Sequence, residues 1–301
     1  MESLELISRK INTLINLCGQ IPGGDYLALL TVSLRLRLMG VRPKTISLYN
    51  MKLHYLEAGK GPPLVLLHGL GGSSLGWALN IEPLRTKFHV LAPDQIGFGR
   101  SSKPLISYRI SLMAEYLLEF LSTLRIHKVM LVGSSLGGWI AAHLAINYPE
   151  WVEKLVLVDS AGFALDHPLS AEERELLNAL TLTSARKFAR LLFFCPDLIQ
   201  DSGLKMRLKM KLTSHEPYVI DRFLDAIDQK QDVLDHQLSR IKAPTLIIWG
   251  REDQIIPIDH ALRFQQGISG SKLVIFDQCG HVPQVEKAAR FNQEIIHFLL
   301  A

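Results

Sequence analysis

The chain has 301 residues, 48% of them hydrophobic and 21% charged, with a formal net charge of +4. That length accommodates one large α/β domain with an insertion, and the apolar content excludes global disorder. So mild a charge, with no nucleic-acid motif beside it, gives no reason to expect a nucleic-acid partner.

Cys18, Cys195 and Cys279 are odd in number and widely spaced, so they read as free thiols in a reducing, cytoplasmic compartment rather than a disulfide frame or zinc site. The start, Met1-Glu2-Ser3-Leu4-Glu5, is acidic and lacks the basic region of a secretory signal. Residues 1–44 form a stretch of their own. Leu4, Ile7, Ile11, Leu14, Ile15 and Cys18 recur at helical spacing, and a second apolar, basic helix is expected from about Tyr26 to Met39. Two readings stand side by side: the helices pack on the domain, or they make peripheral membrane contact with Arg35, Arg37, Arg42 and Lys44 beside the leucines.

A core is expected over 45–159 and 242–301. Leu64-Val65-Leu66-Leu67, Val90-Leu91-Ala92, Val129-Met130-Leu131-Val132, Leu155-Val156-Leu157-Val158, Thr245–Trp249 and Lys272–Phe276 are short apolar runs suited to buried parallel strands. Helices at Ser111–Leu124, after Ser135, and at about Lys287–Leu300 alternate with them, which predicts a mostly parallel sheet with helices on both faces. Between about Ser160 and Ile241 the strands stop and only helix-like segments remain, so 160–241 is expected to be an inserted helical cap. Its run Lys205-Met206-Arg207-Leu208-Lys209-Met210-Lys211 reads as a solvated face or a contact for an anionic surface.

Gly133-Ser134-Ser135-Leu136-Gly137 fits G-x-S-x-G between a strand and a helix, the context of a nucleophile elbow. Small residues at minus two and plus two permit so tight a turn, and the helix N-terminus lies beside the hydroxyl. Asp253 follows one late strand and His281 the next, and in a parallel sheet such loops converge on one edge. A serine hydroxyl attacks only when a base takes its proton. His281 is the expected base, and Asp253 its orienting acid in preference to Asp277. Backbone N–H groups of Leu70, in His68-Gly69-Leu70-Gly71-Gly72, and of Leu136 are the expected oxyanion donors. His68 is expected to support its loop, Asp94 to organise a turn, Cys279, Trp77 and Trp139 to pack. No substrate-binding residue, metal or organic cofactor is implied.

With these loops in order, residues 45–300 resemble the α/β-hydrolase superfamily, whose chain order is Ser, then Asp, then His. Among its members, haloalkane dehalogenases and epoxide hydrolases have an aspartate nucleophile, which Ser135 argues against. The resemblance therefore implies a serine hydrolase, first a carboxylesterase acting on a small or medium apolar ester through an acyl-serine. The alternative is a C–C bond hydrolase of meta-cleavage products. Those carry Asn before the nucleophile and Trp after the catalytic His, where this chain has Ser134 and Val282, although Arg186 and Arg190 would suit a carboxylate. A triad-retaining ligand receptor and an acyltransferase are the remaining readings.

Overall fold

The computed structural model describes residues 34 and 36–301. The first expected helix and most of the second lie outside the described residues, and so does the membrane contact expected of them. The helix that includes Leu36 ends in a Schellman turn. Val41 N–H donates to Leu36 O and Gly40 N–H to Arg37 O, both at 2.9 Å, with Gly40 at φ 78°.

The strands are β1 Arg42–Leu48, β2 Met51–Ala58, β3 Pro63–Leu67, β4 His89–Pro93, β5 Val129–Ser134, β6 Val152–Val158, β7 Thr245–Gly250 and β8 Lys272–Phe276. They form one sheet in the order β1-β2-β4-β3-β5-β6-β7-β8. The β1–β2 and β2–β4 pairs are antiparallel, and every later pair is parallel. Tyr49 and Asn50, at φ 50° and 61°, close the β1–β2 hairpin with the two left-handed residues that a tight turn between twisted strands favours. β1 starts at Arg42, which corrects the expected boundary at 44. Arg42 and Lys44 belong to a strand, and Lys44 is ion-paired with Glu57.

Side-chain alternation divides the interior in two. Val65, Leu67, Leu131, Leu155 and Leu157 face a cluster built with α2 (Ile110–Thr123) and α3 (Leu136–Asn147). Leu64, Leu66, Val132, Val156 and Val158 face the other, with Trp77 just before α1 (Ala78–Leu84) and Phe291 of the C-terminal helix Ala288–Leu300. Strands apolar on both faces suit the middle of such a sandwich. This is the α/β architecture, helices on both faces, expected from the sequence.

Between β6 and β7 lie α4 (Ala171–Leu177), α5 (Leu182–Leu192), α6 (Asp201–Leu212) and α7 (Glu216–Asp228). α4 and α5 each begin with a capping box, Ser170 with Glu173 and Thr181 with Ser184. The two ends of this helical segment touch. Leu234 N–H donates to Gly162 O at 2.7 Å, and Ala164 N–H to Asp235 Oδ2 at 2.9 Å. Gly162 has φ 146°, and a Cβ there would fall 2.5 Å from Leu234 Cδ1, so the neck closes only around glycine. The basic run on α6 is partly interior. Lys211 is buried and donates to Ala179 O at 3.1 Å, and only Lys205 and Lys209 of its lysines are exposed. After β7 the chain forms α8 (Asp259–Gly267), α9 (Pro283–Glu286) and α10 (Ala288–Leu300).

Candidate active site

Ser135 occupies the sharp corner between β5 and α3, at φ 55° and ψ −116°, a backbone region costly for a residue with a side chain. Its N–H donates to Val158 O at 2.9 Å, and its carbonyl accepts from Gly138 and Trp139, the first bonds of α3. Glycine is needed on both sides. A Cβ at Gly133 would lie 2.2 Å from Gly137 O, and one at Gly137 would lie 2.3 Å from Leu67 O. The loop after β3 runs directly across Ser135, since a Cβ on Gly69 would fall 3.2 Å from Ser135 Cβ and 3.7 Å from its Oγ. Leu136 follows the serine at the start of α3, and Leu70 follows Gly69 on that loop.

His68 holds that loop. Its Nδ1 lies 2.8 Å from Gly69 O, and its Nε2 accepts from Gln95 N–H at 3.0 Å, which fixes Nδ1 as the protonated nitrogen. Burial lowers its pKa and keeps it neutral. Asp94 accepts from Ser74 N–H at 2.6 Å, Arg100 N–H at 2.8 Å and His54 Nδ1 at 3.0 Å. Burial works to raise its pKa, yet these bonds hold it well below the carboxylate range, so Asp94 ties β2 and the Ser74 segment to its own loop as an anion.

His281 and Asp253 come together at the same sheet edge. His281 Nδ1 lies 2.7 Å from Asp253 Oδ2, both residues being buried. Asp253 Oδ1 accepts from Ile255 N–H at 2.8 Å and Ile256 N–H at 3.0 Å, so both oxygens are engaged and its orientation is set. Asp277 is elsewhere: its side chain is 67% exposed and paired with Arg251. Cys279 is a buried thiol whose pKa burial pushes up, which makes it inert.

A third acid, absent from the sequence reading, joins this pair. Asp159, at the end of β6 with φ 43°, is 0% exposed and accepts from Gly250 N–H at 2.9 Å through Oδ1. Its carboxylate, that of Asp253 and a His281 ring nitrogen lie within 4.8 Å of one another. Burial first, and the Asp253 charge second, raise Asp159 well above the carboxylate range, so it is carried as the neutral acid. The trio has the spacing of a metal site, but both Asp253 oxygens are already engaged, Oδ2 by His281 Nδ1 and Oδ1 by the N–H groups of Ile255 and Ile256. An acid at a strand end before Ser-Ala-Gly has no motif of its own, and only the β6–β7 pairing brings it to Asp253.

Ser134 points inward. It is buried, and its Oγ accepts from Gln284 Nε2 at 3.2 Å. Gln284 O in turn accepts from Asn80, which also binds Asn292, so a buried amide network supports the elbow from beneath. The helical segment meets both flanking loops. Arg207 on α6 donates to Gly71 O at 2.6 Å and pairs with buried Glu216, while Leu192 O at the end of α5 accepts from His281 N–H at 2.8 Å. The arginines expected to suit a carboxylate are otherwise placed: Arg186 donates to Asp201 at 2.7 Å on the surface, and Arg190 is exposed.

Residues 62–288 match the family model for the alpha/beta hydrolase fold. The chain belongs to the α/β-hydrolase family. One relative of this hydrolase is the 2-hydroxy-6-oxononadienedioate/2-hydroxy-6-oxononatrienedioate hydrolase of Klebsiella pneumoniae, 34% identical over 83% of this chain and 91% of that one. Among solved structures, a bacterial membrane phospholipase A superposes with a TM-score of 0.83 at 26% identity, covering 99% of this chain and 98% of that one. A meta-cleavage product hydrolase from Pseudomonas fluorescens gives a TM-score of 0.78 at 27% identity, covering 85% and 97%. No helix among the described residues is long and apolar enough to cross a membrane.

Proposed function

We propose that this hydrolase cleaves a bond to a carbonyl carbon through Ser135, and that its substrate is a 2-hydroxy-6-oxo-dienoate of the meta-cleavage type, cut at a C–C bond. The observation that carries this substrate class is the 34% identity with a dienedioate hydrolase along 83% of the chain. It reverses the order favoured from sequence, which put ester cleavage first.

In this reading His281, oriented by Asp253, removes the Ser135 proton, and Oγ attacks the C6 carbonyl. The N–H groups of Leu70 and Leu136 receive the oxyanion. Collapse expels the C5 carbon. A carbanion leaves only if its charge is delocalised, so the substrate reacts as its 2-keto tautomer, where C5 is conjugated through an alkene to the C2 carbonyl. His281 returns the proton, and water then releases the acyl group from Ser135 by the same route. The helical segment acts as the cap over this site.

Specific observations favour ester cleavage as the second reading. Arg186 is committed to Asp201, Ser134 is turned into the interior, and Val282 supplies no ring after His281. A phospholipase spans nearly the whole chain with similar structure. Both substrates require the same triad, so one panel separates them: loss of dienoate absorbance against hydrolysis of p-nitrophenyl esters of graded chain length. Dienoate turnover exceeding ester turnover supports the C–C reading, and the opposite order replaces it with the esterase. Ser135→Ala is expected to lower either by at least about 1000-fold. A wild type that binds these ligands without turnover is a receptor.

A further inference from the structure

We propose that Glu286 is a positioning residue that locks the His281 loop to the helical segment, so that alignment of the base toward Ser135 depends on that segment being seated. This rests on the reading of His281 as the base. The geometry is that of a two-sided clamp. Glu286 Oε1 accepts from Gly280 N–H at 2.7 Å, next to His281, with Cys279 Sγ at 3.9 Å. Its Oε2 accepts from Phe194 N–H at 2.9 Å and Cys195 N–H at 3.2 Å, in the chain that leaves α5. Beside it, Leu192 O accepts from His281 N–H at 2.8 Å. The two segments are in direct contact, because a Cβ on Gly280 would fall 2.6 Å from Leu192 O and 2.9 Å from Phe194 N.

The post that carries the carboxylate is fixed independently. Glu286 ends the one-turn helix α9, which opens on Pro283 and is closed by Glu286 N–H to Val282 O at 3.0 Å. Gln284 of that turn is anchored to Asn80 and Ser134. Only an ionised carboxylate presents acceptors in both directions. A glutamine amide accepts on one side and turns an NH2 group toward backbone N–H donors on the other. Hydrogen bonds to the charged acceptor are also about twice as strong as neutral ones. Glu286 therefore couples segment and base loop, and without it the Leu192 O to His281 N–H bond and direct packing are left to hold them in register.

The test compares full-length wild type with Glu286→Gln by two readouts. Covalent labelling of Ser135 by a fluorophosphonate reports base competence whatever the natural substrate. Amide hydrogen exchange at 193–195 and 279–281 reports the clamp without any chemistry. We expect labelling to slow by about 10- to 100-fold, the loss typical of a misplacement near 1 Å. On the best turnover substrate kcat falls while KM holds, circular dichroism and Tm stay near wild type, and exchange rises at both segments together. Labelling at the wild-type rate, or exchange rising on one side only, overturns the proposal. If Glu286→Gln does not fold, Glu286→Asp serves, since it keeps the charge but is too short to span both sides; wild-type labelling and exchange in it overturn the proposal equally. A wild type that resists labelling refutes Ser135 and His281 as nucleophile and base, and hydrogen exchange then decides the clamp alone.

Discussion

At the scale of residues, Asp159 shows how burial decides a charge that its type does not. Its folded form holds a proton that the unfolded chain releases above the ordinary value of 3.8, because burial and the Asp253 charge raise it. The folded state thus binds the extra proton, and stability from this group is complete below that value and declines as pH rises toward the elevated pKa. Asp159→Asn keeps the shape and the neutrality but removes the titration. Urea unfolding at a series of pH values is expected to show the variant gaining on wild type from about pH 4 toward neutrality. Parallel curves would show that Asp159 ionises in place. The corner at Ser135 and the pairing of Asp253 with His281 were legible from the sequence because each of these residues follows an apolar strand and such loops converge on one sheet edge. Asp159 and Glu286 were not, because their partners are brought near only by strand pairing and by the return of the helical segment.

Elements were readable where one physical rule dominated. The parallel strands are continuous apolar runs and appear as expected, and the four helices between β6 and β7 lie where the strands stop. The basic run on α6 misled, since alternating lysines say nothing about which of them a neighbouring helix covers. Lys211 is buried, and burial lowers its pKa from 10.5 to about 8. Here the unfolded chain binds the extra proton, so the cost is full below about pH 8 and fades as pH rises to 10.5. Lys211→Met is expected to stabilise the protein by about 2 kcal/mol at pH 7, after the lost bond to Ala179 is counted. Chemical denaturation at pH 7 and pH 10 checks this, and an equal gain at both would refute the charge argument. The elbow is the opposite case, an element with no slack. Gly137→Ala places a methyl 2.3 Å from Leu67 O, a backbone atom, so β3 and α3 must part. A loss of about 2–3 kcal/mol is expected, with Ser135 labelling falling alongside Tm. A variant as stable as wild type would mean that the turn has room.

For the whole molecule, the sheet separates two apolar cores, one under α2 and α3 and one under α1 and α10, and all the candidate catalytic loops leave it at one edge. The neck at Gly162 and Leu234 gives this plan a historical consequence. A chain segment whose ends already touch can change length at little entropic cost, each doubling adding only about 0.6 kcal/mol. Between the points where it holds the catalytic loops, at Leu192, Phe194, Cys195 and Arg207, the segment 163–233 is therefore free to be lengthened or shortened while the sheet beneath it is left alone. Stretches between those points can then drift quickly, while the points themselves stay tied to the catalytic loops.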